Sequence, residues 1–280
     1  MNGRRRAGED GLVPDLGLTW RVAGCAGITW LRAHFERQRF PRHTHDVYVV
    51  GVNEAGAHAT WHHGAHHLVP AGRLAVVCPG DVHTGESVTG LPWHYRAIYV
   101  APALMLAALQ EERGSELRFP LLLDDPALVR DFLAMHRAAE HRSTELRTSS
   151  EAIDWLARFA RRFARVHKHG AKPVDSDVVR RAITYINDHL CEDVALDDIA
   201  RSAGVNRYHL IRQFRRARGL TPYGYLIQAR VIRAQQWLAA GLAPAQVAAK
   251  TGFADQSHLT RAFHRLTGTT PARYARSIRR

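Results

Sequence analysis

Cysteine is scarce in this sequence: Cys25, Cys78 and Cys191 are the three in 280 residues, far apart and in no CxxC spacing. An odd, scattered set of this kind excludes a disulfide framework and reads as reduced, mostly buried thiols in a cytoplasmic protein. Long apolar runs are missing as well. None approaches the roughly eighteen residues that a membrane span needs. No apolar stretch follows Arg4, Arg5 and Arg6, so a secretion signal is not expected. Carboxylates thin out towards the carboxy terminus. From Lys172 onward there are 18 Lys+Arg against 8 Asp+Glu, a balance of +10, whereas the preceding 171 residues hold 21 against 18, a balance of +3. A basic final third behind a nearly neutral front points to a polyanionic partner for that third alone.

What is present is the mix of a soluble globular protein, 46% hydrophobic and 23% charged, long enough for two domains that each bury a core. Charge alone does not separate a polyanion site from a well-solvated surface. A repeat does. His209-Leu210, Arg212, Phe214, Gly219, Thr221-Pro222 and Tyr225 recur as His258-Leu259, Arg261, Phe263, Gly268, Thr270-Pro271 and Tyr274, each 49 residues later. The chain therefore uses one supersecondary unit twice.

Each copy reads as a helix-turn-helix. In the first, Ile199, Ala200 and Ala203 form the apolar face of a short helix, Gly204 turns the chain, Val205 plugs the turn and Asn206 caps a second helix. Leu210 and Phe214 then pack inward at i, i+4, which leaves Arg207, Tyr208, Ile211 and Arg212 facing out. The second copy repeats the plan with Val247, Ala248, Gly252, Phe253 and an Asp255 cap, and exposes Gln256, Ser257, Thr260 and Arg261. Arginine can donate two parallel hydrogen bonds to guanine, glutamine can pair with adenine, and hydroxyls accept either, so both stripes suit a major groove. Between the copies, Thr221-Pro222 opens a helix that Gly241 closes. About 19 residues at 1.5 Å each make a rod of roughly 28 Å, close to the one DNA turn, roughly 34 Å, that would hold both reading helices on one face of the duplex.

The stretch from about Val178 to Tyr274 resembles the DNA-binding domain of the AraC/XylS family of bacterial transcription regulators. That resemblance implies a transcription regulator, generally an activator, that binds a double-stranded operator, contacts RNA polymerase and forms a homodimer. It assigns base reading to Arg207, Tyr208, Ile211, Arg212, Gln256, Ser257, Thr260 and Arg261. Ile211 stands where a polar residue is often found, and its apolar side chain suits a thymine methyl.

The front half changes character. Val47–Val52, Ala57–Trp61, Leu74–Cys78 and Tyr95–Val100 are short β-branched and aromatic runs separated by turn residues, the pattern of a small barrel or sandwich. His43-Thr44-His45 before a strand, and Pro79-Gly80-Asp81-Val82-His83 after Gly72, resemble the two motifs of a cupin barrel, the sensor domain usual in AraC-type regulators. Metal-binding cupins add a glutamate, whose places here hold Val49 and Val50. His43, His45 and His83 can still supply three imidazoles to zinc, nickel or iron. The missing carboxylate weighs against a metal, and the expectation is no cofactor: the three histidines line a pocket for an organic effector, with Tyr48, Trp61 and Trp93 available to stack on it. Aromatics in a small barrel also serve as core. His62-His63 and His66-His67 flank Gly64 as a solvated hairpin tip.

From Pro102 to His169 helical periodicity returns, with Leu128, Phe132 and Met135, then Ile153, Leu156, Phe159 and Phe163, at helical spacing. The resemblance implies that such helices dimerise the sensor domains; packing against the barrel of the same chain is the alternative. The polar segment from His167 to Asp177 is the candidate linker. The expected architecture is α+β: a cupin-like barrel with trailing helices over residues 1–170, then an all-α domain of two helix-turn-helix units joined by a helix over 171–280. The expected function is a non-enzymatic, effector-responsive regulator. The alternatives are a metal-dependent cupin enzyme with a DNA-binding tail, against which the missing glutamate counts, and an architectural DNA binder, which has no need of a barrel.

Overall fold

A computed structural model describes residues 16–88, 91–109, 115–141, 144–167 and 177–279. The expected linker lies mostly in 168–176, outside the described residues, as do Arg4, Arg5 and Arg6.

The front half contains β1 (Leu16–Trp20), β2 (Ile28–Phe35), β3 (Arg39–His43), β4 (Tyr48–Ala55), β5 (Ala57–His62), β6 (Ala65–Pro70), β7 (Leu74–Val77), β8 (His83–Ser87) and β9 (Trp93–Val100). After these come α1 (Pro102–Leu109), β10 (Glu116–Arg118), β11 (Leu122–Leu123), α2 (Pro126–Glu140), α3 (Glu145–Phe163) and β12 (Arg165–His167). One sheet runs β1-β2-β9-β4-β7-β11 and a second runs β3-β8-β5-β6, with β10 and β12 paired apart from both.

The larger sheet is covered on both faces, which explains why β4 is buried almost end to end. Alternation divides its side chains between two cores. Trp30, Val50, Val52, Val76 and Ile98 pack with Phe132, Trp155 and Phe159 of the trailing helices. Leu31, Ala33, Phe35, Val49, Trp93 and Ala97 face the smaller sheet. The helices therefore cover the barrel of their own chain. Ile153, at helical spacing with that set, instead lies on the outer side of α3, half-exposed near Leu146.

A buried polar network ties α2 to the sheet. Arg96 donates from Nε to Glu54 at 2.7 Å and from Nη1 to Glu140 at 2.7 Å and to His136 Nδ1 at 3.0 Å. His136 Nε2 donates to the carbonyl of Ala97 at 3.1 Å, so the neutral imidazole is fixed in one tautomer. Burial, reinforced by the Arg96 charge, lowers its pKa from 6.5 to about 4. Above pH 6.5 neither the folded nor the unfolded chain protonates it, whereas between 6.5 and about 4 only the unfolded chain does. Stability therefore falls as the pH drops through that window. The urea midpoint of the full chain is expected to fall from pH 7 to pH 5, and to fall less in His136→Gln; an equal fall in both would remove His136 as the cause.

The back half is helical throughout: α4 (Asp177–Asp188), α5 (Leu196–Ser202), α6 (Arg207–Arg218), α7 (Pro222–Ala239), α8 (Pro244–Lys250), α9 (Gln256–Thr267) and α10 (Pro271–Ile278). Local chemistry sets these bounds. Asn206 accepts from the amide of His209 and Asp255 from that of His258, so α6 and α9 both start at capped positions. Gly219 and Gly268 end them in the left-handed conformation, φ 63° and 69°. Thr221 and Thr270 cap the helices that follow, each with proline in its first turn. Two separate cores result. Val179, Ile186, Ile199, Leu210 and Phe214 form one with Leu226 of α7. Val247, Phe253, Leu259, Phe263 and Tyr274 form the other with Ile227 and Val231 of α7. The connecting helix is thus a shared wall of both units.

Candidate nucleic-acid interface and effector cleft

The capped starts of α6 and α9 aim their first turns outward. Arg207, Tyr208 and Arg212 are exposed, Tyr208 at 72%, and Ile211 is half-buried beside them. Gln256, Ser257 and Arg261 are exposed, while Thr260 is half-buried and donates to the carbonyl of Gln256 at 2.8 Å. The Arg207 guanidinium lies over the Tyr208 ring at 5.3 Å, and Arg212 Nη2 is 3.4 Å from His209 Nδ1. These contacts are weak enough to exchange for base edges or phosphates.

The barrel seats against both helix-turn-helix units at equivalent points of the repeat. A Cβ on Gly219 would stand 3.0 Å from Val82, and one on Gly268 would stand 2.8 Å from the Phe35 ring. The two glycines that end α6 and α9 therefore serve the turn and the domain contact together. Between these contacts Gln228 of α7 closes three hydrogen bonds with Thr44. Its Nε2 donates to the Thr44 carbonyl at 2.9 Å and to Oγ1 at 2.7 Å, and Thr44 N donates back to Oε1 at 3.1 Å.

Beside Gln228 the two domains enclose a cleft of about 580 Å³. Thr19, Arg21, His43, His45 and Tyr99 line one wall; Gln228, Ile232, Gln235, Gln236 and Tyr274 line the other, with apolar Ile28, Leu31, Val231 and Leu266 between them. The barrel interior, by contrast, leaves only about 80 Å³. Trp93 accounts for much of that: its ring stacks on His58 at 4.0 Å, and its Nε1 donates to Asn53 at 2.7 Å. Organic ligands occupy sites of about 300–1,000 Å³, so the cleft has the right size and the interior does not.

Three of the expected effector residues, Tyr48, Trp61 and Trp93, lie outside the lining of the cleft. Tyr48 starts a strand on the face opposite Val49, and its hydroxyl donates to the carbonyl of Leu117 at 2.8 Å, so it belongs to the helix-side core. Trp93 is barrel core. Trp61 points away from the interior, under the Arg42 guanidinium at 4.0 Å. For Tyr48 and Trp61 strand alternation, invisible without the register, decides the side, whereas Trp93 faces the interior beside the histidines. His43 and His45 do line the cleft, and all three expected histidines border the small interior cavity beneath it.

His43, His45 and His83 converge, with one nitrogen of each within 4.8 Å of the others. His43 Nδ1 donates to the carbonyl of Pro41 at 2.7 Å and His83 Nδ1 to that of Asp81 at 3.2 Å, which leaves Nε2 of each as the lone-pair nitrogen. Burial lowers the pKa of all three, so they are neutral bases at pH 7. Three such imidazoles, two of them with carbonyl outer partners, fit a zinc-like ion in donor type. Val49 borders the same cavity at a position where cupins carry their glutamate, and no carboxylate joins the group among the described residues.

Sequence reading passed over Arg21, Tyr99, Gln228, Gln235 and Tyr274. The one signal available was on the connecting helix, where Gln228, Ile232 and Gln235 stand at i, i+4 and i+7 on a stripe that neither helix-turn-helix core uses.

Residues 26–156 match the family described as AraC-like ligand binding domain, and residues 199–277 match a helix-turn-helix domain family. The HTH-type transcriptional regulator YbfI of Bacillus subtilis is 31% identical over 226 residues, 79% of this chain and 82% of its own. The HTH-type transcriptional activator RhaS of Salmonella arizonae is 24% identical over 242 residues, 83% of this chain and 86% of its own. Among solved structures, an apo form of a ToxT point variant of Vibrio cholerae superposes with a TM-score of 0.58 at 11% identity, over 94% of this chain and 97% of that one, and shares the fold. Wild-type ToxT, with a TM-score of 0.53 at 10% identity over 95% and 96% of the chains, is bound to an unsaturated fatty acid.

Proposed function

The chain belongs to the AraC family of helix-turn-helix transcription regulators, and from that premise we propose that its effector binds in the cleft between barrel and DNA-binding domain rather than inside the barrel. One observation carries this: the cleft has about 580 Å³ and walls from both domains, against about 80 Å³ in the barrel. A ligand that touches both walls changes the free energy of their association, which is what an effector must do to alter DNA binding. Arg21 and the three glutamines offer polar anchors, and Ile28, Val231, Ile232 and Leu266 an apolar bed, so the fitting ligand is a polar-headed organic molecule with an aliphatic body.

In keeping with the family, residues 1–170 sense and 171–280 bind DNA. The eight residues of the two outward stripes, from Arg207 to Arg261, read bases. The protein activates transcription with RNA polymerase in the cytoplasm, and pairs as a homodimer through the outer side of α3, where Leu146 and Ile153 are exposed. In keeping with relatives named as transcriptional regulators, it acts without a catalytic role.

The test is a thermal-shift screen of such molecules on the full chain. At a hundredfold excess over Kd a ligand stabilises by about 2.7 kcal/mol. Gln235→Trp, which fills the cleft, is expected to abolish the shift, and His58→Gln, inside the barrel, to keep it. The opposite pattern would move the effector back into the barrel.

A further inference from the structure

The histidine-rich hairpin is not a bare solvated turn. β5 ends at His62, and the turn to β6 is His63-Gly64, both left-handed at φ 48° and 87°. His63 is the sole non-glycine with positive φ among the described residues. β5 also pairs with β8 so that His62 stands opposite His83, which brings the hairpin tip to Asp81 of the Pro79–His83 phrase. His62 Nε2 lies 3.1 Å and His63 Nε2 3.4 Å from the same carboxylate oxygen, Oδ2 of Asp81. The three ligand atoms are all within 4.8 Å of one another.

We propose that His62, His63 and Asp81 form a divalent transition-metal site. Two imidazole nitrogens and one carboxylate oxygen are the donors of zinc, cobalt, nickel or iron, and not the all-oxygen set that calcium or magnesium takes. Arg118 Nη1 holds the other oxygen of Asp81 at 2.6 Å and is itself paired with Glu116 at 2.7 Å. Such an outer partner orients a ligating carboxylate, and the Glu116 charge offsets the guanidinium so that the local field still favours a cation. His62 and Asp81 make a buried floor, both 7% exposed, while His63 at 67% leaves the site open to solvent for loading and for remaining water ligands. The His67 ring, 6.4 Å from that of His62, is the next imidazole within reach.

The site shares no ligand with His43, His45 and His83, and it stands independently of the effector reading. Its place in the fold links it to the DNA-binding half. Val82, the residue after Asp81, is the one packed against Gly219 at the end of α6.

The test uses untagged full-length protein stripped with chelator and titrated with cobalt, read by its d–d absorption and by zinc competition. One cobalt per chain is expected at this site. His63→Asn keeps a residue suited to the left-handed turn and removes the imidazole; it should lose that cobalt or bind it at least tenfold more weakly. His45→Ala should keep it. Absence of cobalt binding up to about 1 mM, the weak end of the affinity scale, would overturn the site. So would cobalt that survives His63→Asn and disappears in His45→Ala, which would assign the metal to the barrel interior.

Discussion

Inserting about five base pairs between the two half-sites of the operator is expected to drop affinity to the non-specific level, a loss of about a thousandfold or more. α7 spans 18 residues, roughly 27 Å at 1.5 Å each, and supplies a wall to both helix-turn-helix cores. The spacing of α6 and α9 is therefore held by packed side chains, and the barrel touches the equivalent glycine at the end of each. Half a helical turn of extra DNA puts the second half-site on the opposite face, where this rigid pair cannot follow. Affinity unchanged by the insertion would mean that one unit alone reads DNA. Within the first half-site, Arg212→Ala should cost about 1–3 kcal/mol and relax preference at one base pair. A uniform loss across sequences with a shallower salt slope would make Arg212 a phosphate contact.

The second large effect concerns the cores. Phe214 and Phe263 occupy the same place in the repeat and are fully buried in different clusters. Replacing either with alanine is expected to cost about 3–5 kcal/mol in its own unit, a large share of a domain's stability. Because the clusters are separate, amide exchange in Phe263→Ala should rise through α8 and α9 and stay near wild type in α5. In Phe214→Ala the pattern should reverse. Operator affinity should collapse in both, since each leaves one reading helix without a base. Exchange that rises equally across both units would mean that they unfold as one body.

The helical half was legible because its signals are local. A cap, a glycine with positive φ and an i, i+4 apolar pair act within a turn or two of chain, and the 49-residue recurrence supplied a second reading of each. Asn206, Gly219 and Thr221 do in the structure what their neighbours in sequence demand of them. The strands of the barrel were legible as runs, from Val47–Val52 to Tyr95–Val100, for the same reason.

Sidedness was not. Tyr48 and Val49 are adjacent and both suit a buried strand, and only the pairing of β4 with β7 and β9 sends one to the helices and the other to the barrel. The cleft was still further from view, because its two walls, Arg21 to Tyr99 and Gln228 to Tyr274, are separated by nearly half of the chain and meet only where the domains dock. So it is with the hairpin: His62 and His63 announce themselves as a pair, but the carboxylate they share is that of Asp81, brought beside them by the register of β5 on β8. What the sequence determined by itself was every feature enforced over short chain distances: the repeat, its caps, its outward stripes and the family they belong to. What tertiary structure decided was which distant residues share a space, since register and docking are set by the packing of whole faces, and no single residue carries that information.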